Sequence, residues 1–137
     1  MTNFHTLEEA RAFFEMDRFA TENDIVLPEL TEGTSVCTLT LGSRHRNAEG
    51  GVMGGAIATL IDFAFATAAS NMHRPTVAQQ ISISFLNAAR GRVLTAKASC
   101  RKDGRNSCVY NVDVTDDQGR DIAQAVVTGF KIHPQSC

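Results

Sequence analysis

The sequence predicts an α+β domain in which a curved antiparallel sheet of about six strands wraps around one central helix. The stretch starting near Gly54 and ending by Asn71 or Met72 is almost wholly apolar or small, and it is long enough for one buried helix. On either side lie segments whose residues alternate with the period of two that strands impose. Short polar turns over 102–105 and 116–119 join the later segments as hairpins. A helix with hardly any polar face must be covered on most sides, so it and the apolar face of a sheet hide one another. A parallel βαβ arrangement is disfavoured, because only one long helix lies among the strands.

With 137 residues, the chain reads as a single domain over 1–137 with a core that needs no staples. Thr6 followed by Glu9 is a capping-box signature. Leu7, Ala10, Phe13, Phe14 and Met16 follow it as an apolar stripe, predicting a short N-terminal helix over about 6–19. In 24–30, Ile25, Val26 and Leu27 favour a strand that Pro28 confines to an edge or an end. Glu32-Gly33 is a turn, and 35–41 alternates Cys37, Leu39 and Leu41 with Val36, Thr38 and Thr40, which completes a hairpin. The central helix follows the loop 42–51 and stops at His73-Arg74-Pro75, since a residue before proline is biased away from helix. Strands are then expected over 77–86, 93–100, 108–115 and 122–132. Their three successive connections read as hairpin-like, which implies an antiparallel sheet.

Charge and composition exclude several classes of function. A net charge of -2 without a long basic run leaves no footprint for nucleic acid or an anionic membrane. The short cluster Arg44-His45-Arg46 reads as a solvated loop. The cysteines Cys37, Cys100, Cys108 and Cys137 are scattered without zinc-site spacing, which suits reduced, buried thiols in a cytoplasmic protein. The start MTNFHTLEEARAFF lacks the pattern of a signal peptide. The apolar window 52–69 is near the minimum for a membrane span, but Asp62 at its middle and the glycines at its start favour a buried helix and no membrane role.

Two features carry the candidate chemistry. Gly50, Gly51, Gly54 and Gly55 fit neither a Walker loop nor G-x-G-x-x-G. Glycines at a helix start either expose backbone N–H groups to a ligand at the positive end of the helix dipole or merely permit a sharp turn and close packing. Asp62 is a carboxylate within an apolar helix, and burying one is costly unless it is paired, hydrogen-bonded or neutralised. It either works chemically or faces a wet interface or an arginine. Eight residues separate it from Gly54, about 12 Å along a helix axis. Both can act on one carbonyl only if a second copy of the chain supplies its Asp62, as two antiparallel helices across a two-fold axis would do. His5, His45, His73 and His133 show no metal spacing, and there is no G-x-S-x-G elbow, so neither a metal nor a cofactor is expected.

Asn47-Ala-Glu-Gly50-Gly-Val-Met53-Gly54-Gly55, followed by Leu60-Ile-Asp62, resembles the N-x-x-G-x-x-H-G-G and L-x-D pattern of hotdog-fold acyl-CoA thioesterases of the phenylacetate-degradation type. Gln80 to Leu86 followed by Asn87-Ala-Ala looks like that family's aromatic-ended strand and turn, and the likeness covers roughly 20–132. The resemblance implies the hotdog fold and a homodimer or homotetramer with sites at the dimer interface. It implies that the Gly54 N–H polarises the thioester carbonyl and that the partner's Asp62 is nucleophile or general base. Asn47 would orient water or hold the glycine turn. Phe85 and Leu86 would touch the pantetheine arm, Arg90, Lys102 and Arg105 would meet the coenzyme A phosphates, and Met53, Gly55 and Gly104 are the further substrate-binding residues expected. Met53 stands where the family has histidine, and Ala78 where relatives often carry Ser or Thr, for which Thr76, Gln79 or Gln80 are the nearest substitutes. Met53, Phe63, Phe65 and Met72 are candidates for an acyl pocket or for core.

The function expected is therefore hydrolysis of an acyl-CoA to free acid and coenzyme A. The alternatives are a non-catalytic acyl-CoA binding protein on the same scaffold, a hotdog hydratase or dehydratase, disfavoured because this sequence has no histidine near the helix start, and an interaction module.

Overall fold

Residues 3–133 are described by the computed structural model, so Cys137 lies outside them. The elements are α1 (Leu7–Phe14), α2 (Arg18–Thr21), β1 (Ile25–Thr31), β2 (Thr34–Thr40), a 3-10 turn (Ser43–His45), α3 (Gly54–Met72), β3 (Thr76–Phe85), β4 (Val93–Asp103), β5 (Ser107–Asp116) and β6 (Asp121–Lys131). Thr6 caps α1 by accepting from the Glu9 N–H at 3.1 Å. The helical segment expected over about 6–19 is broken, with 15–17 separating α1 from α2. α1 buries Ala10 and Phe14, while Met16 is 76% exposed, so the apolar stripe ends before α2 begins.

One six-stranded antiparallel sheet forms, in the order β1-β2-β4-β5-β6-β3. Strand β1 is an edge, and its register shifts between Val26 and Glu29, where Pro28 cannot donate to a ladder. Helix α3 lies across the concave face and carries the chain from β2 to the opposite edge, where β3 pairs with β6. The connection from β3 to β4 is therefore not the hairpin that strand order along the chain suggests. It crosses the ends of β6 and β5, about 14 Å at the usual strand spacing.

That crossing is held by side chains of the β5–β6 turn. Asp116 accepts from the N–H groups of Arg90 (2.8 Å), Gly91 (3.0 Å), Gln118 (3.0 Å) and Arg120 (2.9 Å). Asp117 accepts from the N–H groups of Arg92 (2.8 Å) and Val93 (3.3 Å). Burial alone raises the Asp116 carboxyl, but its four backbone donors outweigh that and hold it down at about 2.

The core is the space between α3 and the sheet. Leu60, Ile61, Ala64, Phe65 and Ala68 from the helix meet Leu39, Leu94, Ala96, Ala98, Val112, Val114, Ala125 and Val127 from the strands, all buried. Alanines on the concave face let the helix approach closely. At Gly129 of β6 the approach leaves no side-chain space, since a Cβ there would stand 2.6 Å from Phe65 Cζ and 2.8 Å from Cys108 Sγ. The buried Ser35 hydroxyl on β2 donates to the Ala64 carbonyl at 2.7 Å, tying helix to sheet. Cys37 and Cys108 are buried free thiols, and burial pushes Cys37 up to about 12, far from a reactive thiolate.

Two outcomes follow from this packing. Gly129→Ala is expected to lower stability by about 1–3 kcal/mol through overpacking against Phe65, read as a lower urea midpoint with an unchanged slope. Asp116 has a lower proton affinity folded than its ordinary unfolded value near 3.9. Its contribution is thus present above about pH 4 and lost as pH falls toward about 2. Asp116→Asn should flatten that segment of the stability–pH curve, followed by thermal melts at constant ionic strength.

Candidate active site

The loop before α3 is built around Asn47. Its Oδ1 accepts from the N–H groups of Glu49 and Gly51, both at 3.0 Å, while its own N–H donates to the Gly51 carbonyl at 2.8 Å. Gly50 takes φ 86 inside this turn, a conformation that favours glycine. Of the two roles open to Asn47, the one its hydrogen bonds serve is holding the glycine turn.

Helix α3 starts at Gly54 as the resemblance implies, with Met53 as N-cap at φ -65 and ψ 131 and no side-chain cap. The first N–H groups back-bonded into the helix are those of Ala56 and Ile57, which donate to the Met53 carbonyl at 2.9 and 3.3 Å. The N–H groups of Gly54 and Gly55 have no partner among the described residues. Phe85, at the end of β3, stands against this helix start, with Cζ 3.4 Å from where a Gly54 Cβ would lie. Phe85 and Leu86 are 55% and 46% exposed, so they form an open apolar wall there.

Asp62 lies on the one stripe of α3 that the sheet does not cover. Gly55 and Asp62 are exposed, and Thr59 and Ala66, which share their face at helical spacing, are half-buried. Asp62 borders a groove of about 250 Å³ with Asp17, Arg18, Phe19, Ala20, Thr59 and Phe63. Among the described residues its carboxylate has no hydrogen-bond or ion-pair partner, so no arginine neutralises it. Although Asp62 is solvent-accessible, partial desolvation in the groove lifts its carboxyl above its ordinary value, and the nearby Asp17 carboxylate adds to the effect.

An adjoining cavity of about 190 Å³ shares Phe19 and Thr59 with the first and is bounded by His45, Met53, Gly55 and Ala56. Of the acyl-pocket candidates, Met53 faces this space and Phe63 borders the Asp62 groove. Phe65 is core against Tyr110, and Met72 is at the far end of α3. His45 is not part of a solvated cluster but is 3% exposed. Its ring nitrogens are both engaged, Nδ1 accepting from the Gly42 N–H at 2.9 Å and Nε2 donating to the Asn23 carbonyl at 2.8 Å.

The basic residues expected to face a nucleotide do not converge within one chain. Arg90 lies at the end of the sheet where Asp116, Phe85 and Gly54 meet. Lys102, Gly104 and Arg105 sit in or beside the β4–β5 hairpin at the opposite end, near the last residues of α3. Ala78 is next to a register shift at Gln79 of β3, and the Thr76 hydroxyl already donates to the His73 carbonyl at 2.6 Å. Gln79 and Gln80 are exposed on the edge strand.

Among the described residues no group of three or more His, Cys, Asp or Glu side chains could hold a metal ion. No helix there is long and apolar enough to cross a membrane. Sequence reading missed Asp17, Phe19, Thr59 and His45. A signal existed only for Asp17, an acidic residue in the N-cap position before a short helical stretch.

A six-stranded antiparallel sheet wrapped around one long helix, with a glycine-rich helix start and a carboxylate on the uncovered helix face, defines a hotdog protein of the thioesterase kind. The chain belongs to the thioesterase superfamily, whose sequence model matches residues 49–123. It is 31% identical over 117 residues to the acyl-coenzyme A thioesterase PaaI of Escherichia coli K12, covering 85% of this chain and 84% of that protein. The solved structure of E. coli PaaI, from the phenylacetic acid degradation operon, superposes with a TM-score of 0.86 at 28% identity, covering 92% of each chain. A hypothetical thioesterase protein of Streptococcus pneumoniae TIGR4, solved with coenzyme A, gives a TM-score of 0.82 at 31% identity, covering 91% of this chain and 98% of that one.

A stability prediction follows from the Asp62 environment. Its folded proton affinity is raised, so ionising it costs stability as pH rises through the folded value. Asp62→Asn is expected to melt at the same temperature as the native protein or higher at neutral pH, as read by differential scanning calorimetry.

Proposed function

We propose that the protein hydrolyses acyl-CoA thioesters to the free acid and coenzyme A, at sites that two copies of the chain build together. One observation carries the reading: a helix start with unpartnered N–H groups and a partnerless carboxylate occupy the same uncovered face of α3. They are about 12 Å apart along the axis, too far to act on one carbonyl from one chain. The likeness to an acyl-coenzyme A thioesterase and to a thioesterase protein solved with coenzyme A supports acyl-CoA as the substrate class.

In this reading the thioester oxygen accepts from the Gly54 N–H at the positive end of α3, and negative charge develops on that oxygen as the carbonyl carbon becomes tetrahedral. Asp62 of the second copy takes a proton from water as the hydroxyl adds to the carbonyl carbon. The intermediate collapses with cleavage of the C–S bond, and the coenzyme A thiolate leaves and takes up a proton. Alternatively, the Asp62 carboxylate attacks directly, giving an anhydride that water opens. A raised proton affinity suits the first role, because a carboxylate closer to neutrality is a stronger base. Single turnover in ¹⁸O-water detects the direct route when water opens the anhydride at the Asp62 carbonyl, which alone leaves label on Asp62.

Antiparallel pairing of two α3 helices also bears on coenzyme A. It brings the second copy's β4–β5 hairpin, with Lys102, Gly104 and Arg105, toward the sheet end that carries Gly54 and Arg90, so the nucleotide contacts come from both chains. Strand β3 supports such pairing, as its outer edge is unpaired and largely exposed.

Gly54→Pro tests the oxyanion role. Proline is tolerated at the first helical position, and Met53 already has the extended conformation that precedes proline, so the helix start is kept while the N–H is lost. Because the ring also adds bulk beside Phe85, Gly54→Ala, which keeps the N–H, serves as the steric control. The expected loss in kcat is about 10²–10³-fold for Gly54→Pro and at least about 10²-fold for Asp62→Asn, measured by thiol trapping with a panel of acyl-CoA substrates. Mixing the two inactive variants and allowing subunits to exchange should restore up to about a quarter of native activity, because each mixed dimer holds one intact site. No recovery despite proven exchange would place both groups in one chain's site. Turnover unchanged in folded Asp62→Asn would end the proposal.

A further inference from the structure

His45 joins three separate segments beneath the proposed site. Its Nδ1 accepts from the Gly42 N–H at 2.9 Å and its Nε2–H donates to the Asn23 carbonyl at 2.8 Å. Its own carbonyl accepts from the Met53 N–H at 2.8 Å. Asn23 follows α2, which carries Phe19, and Met53 is the residue immediately before Gly54. Phe19, His45, Met53, Gly55 and Thr59 border one cavity. The imidazole therefore sits between the aromatic side of that cavity and its glycine side, at 3% exposure.

The bond to Asn23 spans 22 residues of sequence, whereas the bond from Gly42 is local. Only the former ties α2 to the helix-start loop through the ring. Arg44 reinforces the same junction by donating from Nη2 to the Glu22 carbonyl and to Asp24 Oδ2, the latter at 2.9 Å. Asp24 Oδ2 also lies 4.0 Å from His45 Nε2. Asp24 takes φ 70 in the tight link from α2 to β1, so the connection there is turned sharply under the loop. Met53 has no side-chain hydrogen-bond donor and makes no side-chain cap with which to hold the loop.

We propose that His45 is a positioning residue of this site: its ring clamps α2 to the loop 42–53, and its carbonyl fixes Met53, so that the Gly54 N–H is presented at a set distance from the Phe19 side of the cavity. The kinetic part of this inference rests on the proposed hydrolysis; the structural part does not.

The two ring bonds can be separated, because asparagine reproduces the Nδ1 acceptor and glutamine the Nε2 donor. Native protein, His45→Asn, His45→Gln and His45→Phe are compared by hydrogen exchange and by acyl-CoA turnover, at a temperature where circular dichroism shows all four folded. Peptides spanning 42–54 are expected to exchange at least about tenfold faster in His45→Asn and His45→Phe, with β4–β6 unchanged and His45→Gln close to native. In turnover, His45→Asn and His45→Phe should lose at least about tenfold in kcat with a smaller change in KM, and His45→Gln should recover most of it. Native exchange over 42–54 in His45→Asn, or His45→Gln as impaired as His45→Phe, overturns the clamp. If the native protein releases no thiol, hydrolysis fails as the function, and the exchange arm alone decides the clamp.

Discussion

Burial of α3 is the constraint on which the rest of the structure depends. A nineteen-residue helix with one charged side chain can leave only a narrow stripe to water, that of Gly55, Thr59, Asp62 and Ala66, and must have the rest of its surface covered. Six strands are enough to curl around it, and their inward positions are kept small where it comes closest, at Ala96, Ala98, Ala125 and Gly129. The chain order follows from the same demand. After β2 the helix crosses the concave face, so the next strand starts at the far edge, and the return to β4 must run across the sheet end. Asp116 and Asp117 supply the hydrogen bonds that this long crossing lacks as a non-hairpin connection.

Where covering fails is as informative as where it succeeds. The sheet reaches around α3 but leaves Gly55 and Asp62 in the open, and the α1–α2 segment covers only part of that stripe. A chain optimised for stability alone would place an apolar residue at 62. Instead, a carboxylate stands there with a second carboxylate, Asp17, near it and no cation bonded to it among the described residues. Asp17 is also the N-cap of α2, yet its side chain makes no capping bond, so that helix forgoes an ordinary source of stability. Such local costs are typical of sites kept for chemistry.

Legibility in the sequence followed the range of the interactions. The central helix could be read to its ends, because composition and the flanking glycines and proline are local signals and the outcome is Gly54–Met72. Strand positions were equally readable from alternation. The pairing of β3 with β6 was not, since a strand's neighbour depends on where the preceding helix delivers it. Nor was the break at 15–17, where Met16 continues the apolar pattern while facing solvent. Gly54 and Asp62 stood out because each breaks a local rule. His45 gave no sign, because its burial arises from α2 and β1 folding over a loop that is polar in sequence.

The absence of a histidine at the helix start bears on mechanism as well as on packing. An imidazole beside the glycines would offer a second proton carrier near the carbonyl oxygen. Here Met53 offers none, and the nearby His45 has both ring nitrogens committed to the backbone. In the proposed reading, the reaction at this helix start therefore manages with N–H donors for the oxygen and the second copy's Asp62 carboxylate for the proton. Thioester hydrolysis needs no more, because a thiolate leaves without first being protonated, whereas hydration of an enoyl group needs a proton delivered to carbon as well. The proposed donor set thus suits a leaving group that carries its own charge away, which within the proposed function argues for acyl transfer to water over hydration.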